Sequence, residues 1–550
     1  MGSNKSCKTY IQKLICEQRQ FSRILLTVHE TNNYQEACKS IARWIESKNL
    51  LSVRQVLQVV REVSSMYHLP TMPKNEHIIQ YLHNNQYKRL LMVKPNKTAS
   101  GVAVIAVMPN PYRCPHGRCI YCPGGIKFNT PLSYTGTEPV TRAAQKFNYD
   151  PYYQVCSKME QLQARGHDTG KTEIVIVGGT FPFMPAEYQR NFAKSCYDAL
   201  NGFPSSGLQQ SMEANEIADN RCVGFTVETK PDYCKKPHIE LMLELGVTRV
   251  EIGVQSLRND VYKKVNRGHT LDDVIDAFRI ARDAGYKIVA HMMPGLPGSS
   301  PQKDIQDFRR LFEDDEFKPD MLKVYPTLVL EHTALFKMHQ SGKYHAYSDE
   351  DLLNVIVEAK KIVPPWVRIM RVQREIQSKD IVAGPKSGNL RQIVLQKLRQ
   401  QGYKCRCIRC REAGLQRKYV SEDEVELKRI DYNASNGREI FLSYESKDGD
   451  ALLGFLRLRK VAKPYRSELT ACAIVRELHI YGQVVGVGKK EIDDSCQHRG
   501  YGRKLLEEAE RITKDELGVS KIAIISAVGT RQYYKKLGYH QDGPYVSKVL

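Results

Sequence analysis

Two tryptophans in 550 residues, no apolar run approaching the roughly 20 residues a bilayer requires, and a shortage of acidic side chains are the first features of this chain. The missing apolar run gives no reason to place it in a membrane. The N-terminus is polar and charged before any apolar stretch develops, which is unlike a secretory signal. The literal match of MGSNKS to a myristoylation pattern, through Gly2 and Ser6, rests on six residues and carries little weight. Fifteen cysteines are too few for a disulfide scaffold over this length, and six of them fall into two tight groups. Together these features point to a cytoplasmic protein that uses thiols for metal or cluster chemistry.

Acidic residues number 61 against 82 Lys and Arg, a net charge of +21. The imbalance is steepest at the start, where residues 1–100 carry 15 basic and 6 acidic side chains. Helical periodicity there covers Tyr10–Val28, Tyr34–Ser47 and Val53–Tyr67. Tyr67, Tyr81 and Tyr87 are interleaved with Lys88, Arg89, Lys94 and Lys97. This is a basic helical N-terminal segment, residues 1–95, which suits either an ordinary helical cap or a polyanion such as RNA.

From 96 to 375 short β-branched strands alternate with helices. Seven strands are expected at Val102–Met108, Glu173–Val177, Val223–Glu228, Arg249–Val254, Lys287–Met292, Met321–Tyr325 and Arg368–Val372. Their nearly continuous apolar character fits a parallel sheet buried on both faces, so the fold class is α/β with a partial TIM-like (β/α) barrel. Polar or glycine-rich residues follow the strand ends: Gly178-Gly179, Glu228, Gln255, His291 and Lys323 to Tyr325. In such barrels that rim carries the chemistry. His291 reads equally well as a hydrogen-bonded core histidine.

Directly after the first strand lies CPHGRCIYC, with Cys114, Cys119 and Cys122. Three thiolates on one loop can hold three irons of a 4Fe–4S cluster and leave the fourth open to S-adenosylmethionine; tetrahedral zinc is the rival. The spacing has one residue more between the first two cysteines than the commonest radical-enzyme loop. Residues 376–425 read as a linker bearing CRCIRC, where Cys405, Cys407 and Cys410 suit zinc or stay as thiolates among arginines. Residues 426–550 form a second α/β unit. Its strands fall at Phe441–Tyr444, Leu452–Leu458, Ala473–Tyr481 and Lys521–Ala527, around a helix from Gly502 to Glu516. Gln497, Gly500 and Gly502 open that helix at a spacing that lets backbone N–H groups approach a pyrophosphate.

The ordered motifs CPHGRCIYCPGG, VGGTF, ETKPDYC, RVEIGVQS, NRGHT, AHMMPGLPG, LKVYPTLV and VPPWVRIMRVQR, then RLRK, VRELHIYG, QHRGYG and GTRQYYKKLGY, resemble the Elongator catalytic subunit family over about residues 70–550. The resemblance implies a radical-SAM barrel fused to a GNAT acetyltransferase-like domain that uses acetyl-CoA to place a carboxymethyl group on the wobble uridine of tRNA. By the same resemblance Cys114, Cys119 and Cys122 hold the 4Fe–4S cluster, and Gly178, Gly179, Glu228 and Gln255 line the S-adenosylmethionine pocket. Acetyl-CoA is expected along Glu477, Leu478, His479 and Ile480, with Cys496, Gln497, His498, Arg499, Gly500 and Gly502 around its pyrophosphate. Lys171 matches a further acetyl-CoA contact, Tyr534 a proton donor to the departing thiolate, and Lys323 and Tyr325 the radical-domain site. In the implied sequence of events the acetyl methyl loses hydrogen to the deoxyadenosyl radical and adds to uracil, and thioester hydrolysis comes last.

The chain departs from the family forms of complex cells in its shorter cluster loop and in keeping the three linker cysteines. Both departures suggest a self-sufficient version, with tRNA and an electron donor as partners, a homodimer conceivable and a multi-subunit assembly in doubt. The competing function is a protein lysine acetyltransferase of histone type. Strong positive charge argues against lysine-rich substrates.

Overall fold

The computed structural model describes residues 32–416, 420–461, 463–482 and 500–550. The expected helix Tyr10–Val28 and the residues Cys496 to Arg499 lie outside them, as do Gly2 and Ser6. Two compact units are formed, one from residues up to Pro95 with Glu160–His167, the other from Asn96–Met159 and Asp168–Leu550.

In the smaller unit the helices Asn32–Ser47 and Val53–Met66 appear where the periodicity places them. Ser52 caps the second through a reciprocal bond with Gln55, which satisfies donors a helix start leaves open. Ile41, Ile45, Val56, Val60 and Val63 recur at helical spacing and form its core with Ile78 and Leu82.

The larger unit begins with seven parallel strands: β1 (Ala103–Val107), β2 (Lys171–Ile176), β3 (Arg221–Thr229), β4 (Arg249–Gln255), β5 (Lys287–Met292), β6 (Met321–Val324) and β8 (Arg368–Arg371). They lie in the order β1-β2-β3-β4-β5-β6-β8, so each successive βα unit adds one strand, as right-handed crossovers require. All seven expected strands are present, in an open half-barrel. A short pair, β7 (Val329–Leu330) with β9 (Ile381–Ala383), stands apart from this sheet.

The second sheet holds β10 (Val425–Ala434), β11 (Gly437–Ser446), β12 (Leu452–Lys460), β13 (Cys472–Ile480), β14 (Lys521–Ile524), β15 (His540–Asp542) and β16 (Tyr545–Val549), in the order β10-β11-β12-β13-β14-β16-β15. Only β13 and β14 run parallel, and their pairing stops at Val475 and Ile524. Opposite β12 the register skips Arg476, a bulge that turns this side chain out of the regular alternation.

Arg476 points to the barrel, where its guanidinium grips Asp320 just before β6, at 2.6 and 2.8 Å. Arg459 bonds Asp283 at 2.6 Å and Glu439 at 3.0 Å. All of these groups are buried. The two sheets therefore meet through a charge network withdrawn from water. Residues 376–425 also pack into this body. They contribute β9 and the helix Leu390–Gln400, and Glu412 pairs with Arg368 of β8. No helix among the described residues is long and apolar enough to cross a membrane.

Candidate functional site

Most of the residues singled out in the barrel half line one cavity of about 290 Å³. Cys114, Cys119, Cys122, Gly178, Gly179, Glu228, Gln255, Lys323 and Tyr325 all border it, brought together from four strand ends and the loop after β1. His291 borders it too.

At the cysteine loop, the imidazole of His116 reaches Cys114 Sγ at 3.3 Å and Cys119 Sγ at 3.1 Å. Lys230 Nζ lies 2.9 Å from His116 Nδ1, and Arg267 donates to Cys119 Sγ at 3.8 Å. A side chain at Gly268 would collide with His116, so the glycine allows the NRGHT loop to cover the cysteines. A hydrogen bond from Cys122, then His116 and Arg267, hold the Cys119 thiol well below its usual range against burial. Cys122 is pushed the other way, by its bond with Cys119 and by burial. Three thiols on one short loop, with cations beside Cys119, form a donor set that fits an iron–sulfur cluster.

Gly178 and Gly179 have φ of +134° and +108°, a region L side chains avoid. Their N–H groups donate to Glu228 at 2.9 and 3.4 Å. Gln255 ends β4 with φ +73°, after a register shift, and its side-chain carbonyl is buried with no partner. A non-glycine residue held in this conformation at a cavity wall stores strain of the kind found at binding sites.

Four residues before Gln255 on β4, Glu251 is buried and takes both Lys323 Nζ and, at 2.9 Å, His291 Nε2. Burial opposes the charge on Glu251, but Lys323 and His291 hold its carboxyl far below the carboxylate range. Burial likewise works against the Lys323 ammonium, and Glu251 outweighs it, so its pKa is raised. Tyr325 packs edge-on to His291 at 5.3 Å. Glu251, His116, Lys230 and Arg267 are site residues the sequence reasoning did not assign. The signal for Glu251 was a carboxylate set between Val250 and Ile252 in the middle of β4, two residues before Gly253.

In the second sheet Glu477, Leu478, His479 and Ile480 lie beyond the last β13–β14 pair and are half-buried. Gly500, with φ +77°, precedes the helix Tyr501–Arg511, and a side chain at Gly502 would reach Ile480 and the Tyr533 hydroxyl. Tyr534 is packed in the core beside Tyr539, and burial raises its pKa, so the phenol keeps its proton. Lys171 opens β2 half-buried, and desolvation lowers its pKa. The structure thus gathers two groups of residues at two places, joined through the body of the barrel.

Cys405, Cys407 and Cys410 present sulfurs within 4.8 Å of one another. Buried Lys360 donates to Cys405 at 3.3 Å and to Cys410 at 3.9 Å.

Residues 110–312 match the Radical SAM superfamily, 319–400 the Radical_SAM C-terminal domain and 409–539 the acetyltransferase (GNAT) family. The chain is 47% identical over 489 residues to "tRNA uridine(34) acetyltransferase" of Methanocaldococcus jannaschii, covering 87% of this chain and 90% of that protein. It is 45% identical over 511 residues to "Elongator complex protein 3" of Saccharomyces cerevisiae, covering 90% and 91%. The solved structure of archaeal Methanocaldococcus infernus Elp3 with its N-terminus deleted superposes with a TM-score of 0.73 at 42% identity, over 82% of this chain and all of that one. With a radical-SAM half-barrel and a GNAT sheet in that order, this chain belongs to the Elongator complex protein 3 family.

Proposed function

We propose that the chain is a tRNA carboxymethyluridine synthase, which uses S-adenosylmethionine and acetyl-CoA to build 5-carboxymethyluridine at wobble position 34. The observation that carries this reading is the shared cavity: three loop thiols at one end, the positive-φ glycines and Glu228 beside them, and the Lys323–Glu251 pair below. The relative from Methanocaldococcus jannaschii, a tRNA uridine(34) acetyltransferase by name, supports uridine 34 as the target.

Cys114, Cys119 and Cys122 would hold the 4Fe–4S cluster. With S-adenosylmethionine bound, that cluster supplies a carbon radical able to take hydrogen from the acetyl methyl group. The chain's own residues do the rest. Glu228 accepts from the Gly178 and Gly179 amides and leaves its other oxygen toward the cavity, where it suits an ammonium group. Gln255 offers an unpaired carbonyl on the opposite wall. Arg267 and Lys230 balance thiolate charge. Lys323, kept protonated by Glu251, offers an ammonium to a carbonyl oxygen of substrate.

On the second sheet, Glu477–Ile480, beyond the last β13–β14 pair, is the stretch along which the acetyl-pantetheine arm would lie, and Gly500 and Gly502 open the helix toward its pyrophosphate. Lys171 is the further acetyl-CoA contact. Tyr534 keeps its proton and can give it to the leaving thiolate. Zinc on Cys405, Cys407 and Cys410 would tie the helix Ile408–Arg411 to the body. The positive excess suits tRNA, and the cluster requires an electron donor.

The experiment is a Cys119→Ser strain. Loss of the modified wobble nucleoside supports the reading. Unchanged tRNA together with lost protein acetylation would replace it by the lysine acetyltransferase.

A further inference from the structure

Among the described residues, six Lys and Arg side chains border the site cavity, and five of them have buried or half-buried partners. Lys230 pairs with Asp232 at 3.1 Å, Arg249 with Glu173 and Lys323 with Glu251. Arg267 donates to the Gly253 carbonyl at 2.8 Å, and Arg374 to that of Ser133. The sixth is Arg371, in the stretch VPPWVRIMRVQR. It pairs with Glu375 at 3.3 Å, and the two side chains are 46% and 58% exposed. An ion pair this open to water holds its members weakly.

Strand geometry aims Arg371 inward. β6 meets β8 as Met321 with Arg368 and Leu322 with Ile369, but Lys323 then stands opposite Arg371 rather than Met370. The extra residue is a bulge, a device that re-aims side chains at barrel rims. Residues opposite each other on neighbouring strands, about 4.8 Å apart, project to the same face. Arg371 therefore shares the inner face of Lys323, and both Met370 and Arg371 border the cavity. The Arg371 charge acts on Tyr134 and Tyr325 across that space. Two neighbouring cations repel, and Glu251 offsets only that of Lys323 at contact distance. The Arg371 guanidinium is left for an anion arriving from solvent.

Depth selects the anion. Lys323 and Glu251 are 6% and 1% exposed, whereas Arg371 sits at the rim. A uracil turned out of its stack is neutral and can enter toward the buried pair. The phosphodiesters beside it would lose their hydration there, so they stay at the mouth. A carboxylate built on the ring would lie with the base, at the buried end. We propose that Arg371 clamps one of the two phosphodiesters flanking uridine 34 when that nucleotide is turned into the cavity, exchanging Glu375 for the phosphate. This rests on the functional reading above and adds to it the group that holds the turned-out nucleotide by its backbone. A guanidinium and a phosphate match as a two-pronged hydrogen-bonded pair, which a lysine would not reproduce. Phosphate contacts fix register and carry no sequence information, so Arg371 acts as a positioning residue for the uracil ring.

The test uses full-length reconstituted enzyme, native and Arg371→Met, with S-adenosylmethionine and tRNA in which a neutral methylphosphonate replaces the phosphate on the 5′ or the 3′ side of uridine 34. Neutralising one of the two should cost native enzyme at least about fivefold in tRNA affinity. Arg371→Met should lose a similar factor with ordinary tRNA, and the same neutralisation should then cost it less than about twofold. Its slope of log affinity against log salt should be shallower by about 0.7, the share of one single-strand phosphate. Neutralisation that costs both proteins alike, or that costs native enzyme nothing at either phosphate, overturns the proposal. So does a loss of S-adenosylmethionine affinity of about tenfold in Arg371→Met, which would give the guanidinium to that ligand's carboxylate. Native enzyme that shows the coupling but makes no acetyl-derived nucleoside overturns the functional reading and leaves the clamp standing.

Discussion

Replacing Glu251 by glutamine isolates the charge that holds Lys323 in the barrel. Glu251 is 1% exposed, and its carboxylate serves both Lys323 and His291. In the native protein the raised Lys323 pKa gives stability that is present below about 10.4, the unfolded value, and lost only as pH climbs through the higher folded value. The depressed Glu251 pKa gives stability present above about 4.3 and lost as pH falls toward its folded value. Between pH 7 and 9 the pair therefore contributes a constant amount. In Glu251→Gln the attraction is gone and burial remains, so the Lys323 pKa drops below its unfolded value and folding expels a proton. Breaking a buried pair by removing one partner costs about 3–5 kcal/mol at pH 7. That deficit should shrink as pH rises, by at most about 1.4 kcal/mol per unit, or about 2.7 kcal/mol by pH 9. Glu228 and Tyr325 also face the ammonium and temper the slope. Urea unfolding of native and variant protein at pH 7, 8 and 9 reads this directly. A deficit that stays constant or widens with pH refutes the reasoning.

Asp320→Ala strips two buried guanidiniums, those of Arg476 and Arg457, of their shared carboxylate, and should cost about 3–5 kcal/mol. Calorimetry should show a lower melting temperature and a second sheet that melts ahead of the barrel; an unshifted single transition contradicts the network's role. Elemental analysis should find one zinc per chain, lost in Cys407→Ser; a zinc-free native chain would leave these thiols to Lys360 and the neighbouring Arg368 and Arg409. Affinity for tRNA should fall by orders of magnitude between low and moderate salt if phosphate contacts dominate, and a flat response contradicts RNA binding by charge.

The barrel was legible because its strands are buried on both faces and so read as runs of Val and Ile, as in Lys287–Met292. β10 was not, because VELKRIDYNA is an edge strand whose polar face meets water and hides the alternation among charges. β15 and β16 hold only three and five residues, too few to show alternation, although Asp542-Gly543-Pro544 marks the turn between them. The site residues that sequence showed were those with a local pattern: the three cysteines, the glycine pair, the strand-end acids. Arg249 and Glu251 escaped because nothing near them in the chain announces that their partners, Glu173, His291 and Lys323, come from three other strands. Residues 376–425 looked like a linker because they are polar and rich in arginine. Their buried Cys407, Ile408 and Glu412 are packed by contacts from distant parts of the chain that no local composition reveals.

The most direct test is anaerobic reconstitution of the full chain with iron and sulfide, then incubation with reductant, S-adenosylmethionine, methyl-labelled acetyl-CoA and tRNA, read by nucleoside mass spectrometry. Labelled 5-carboxymethyluridine at position 34, formed together with 5′-deoxyadenosine, is the predicted result. Reduced, iron-loaded protein that releases no 5′-deoxyadenosine, or that leaves the wobble uridine unlabelled, would contradict the account.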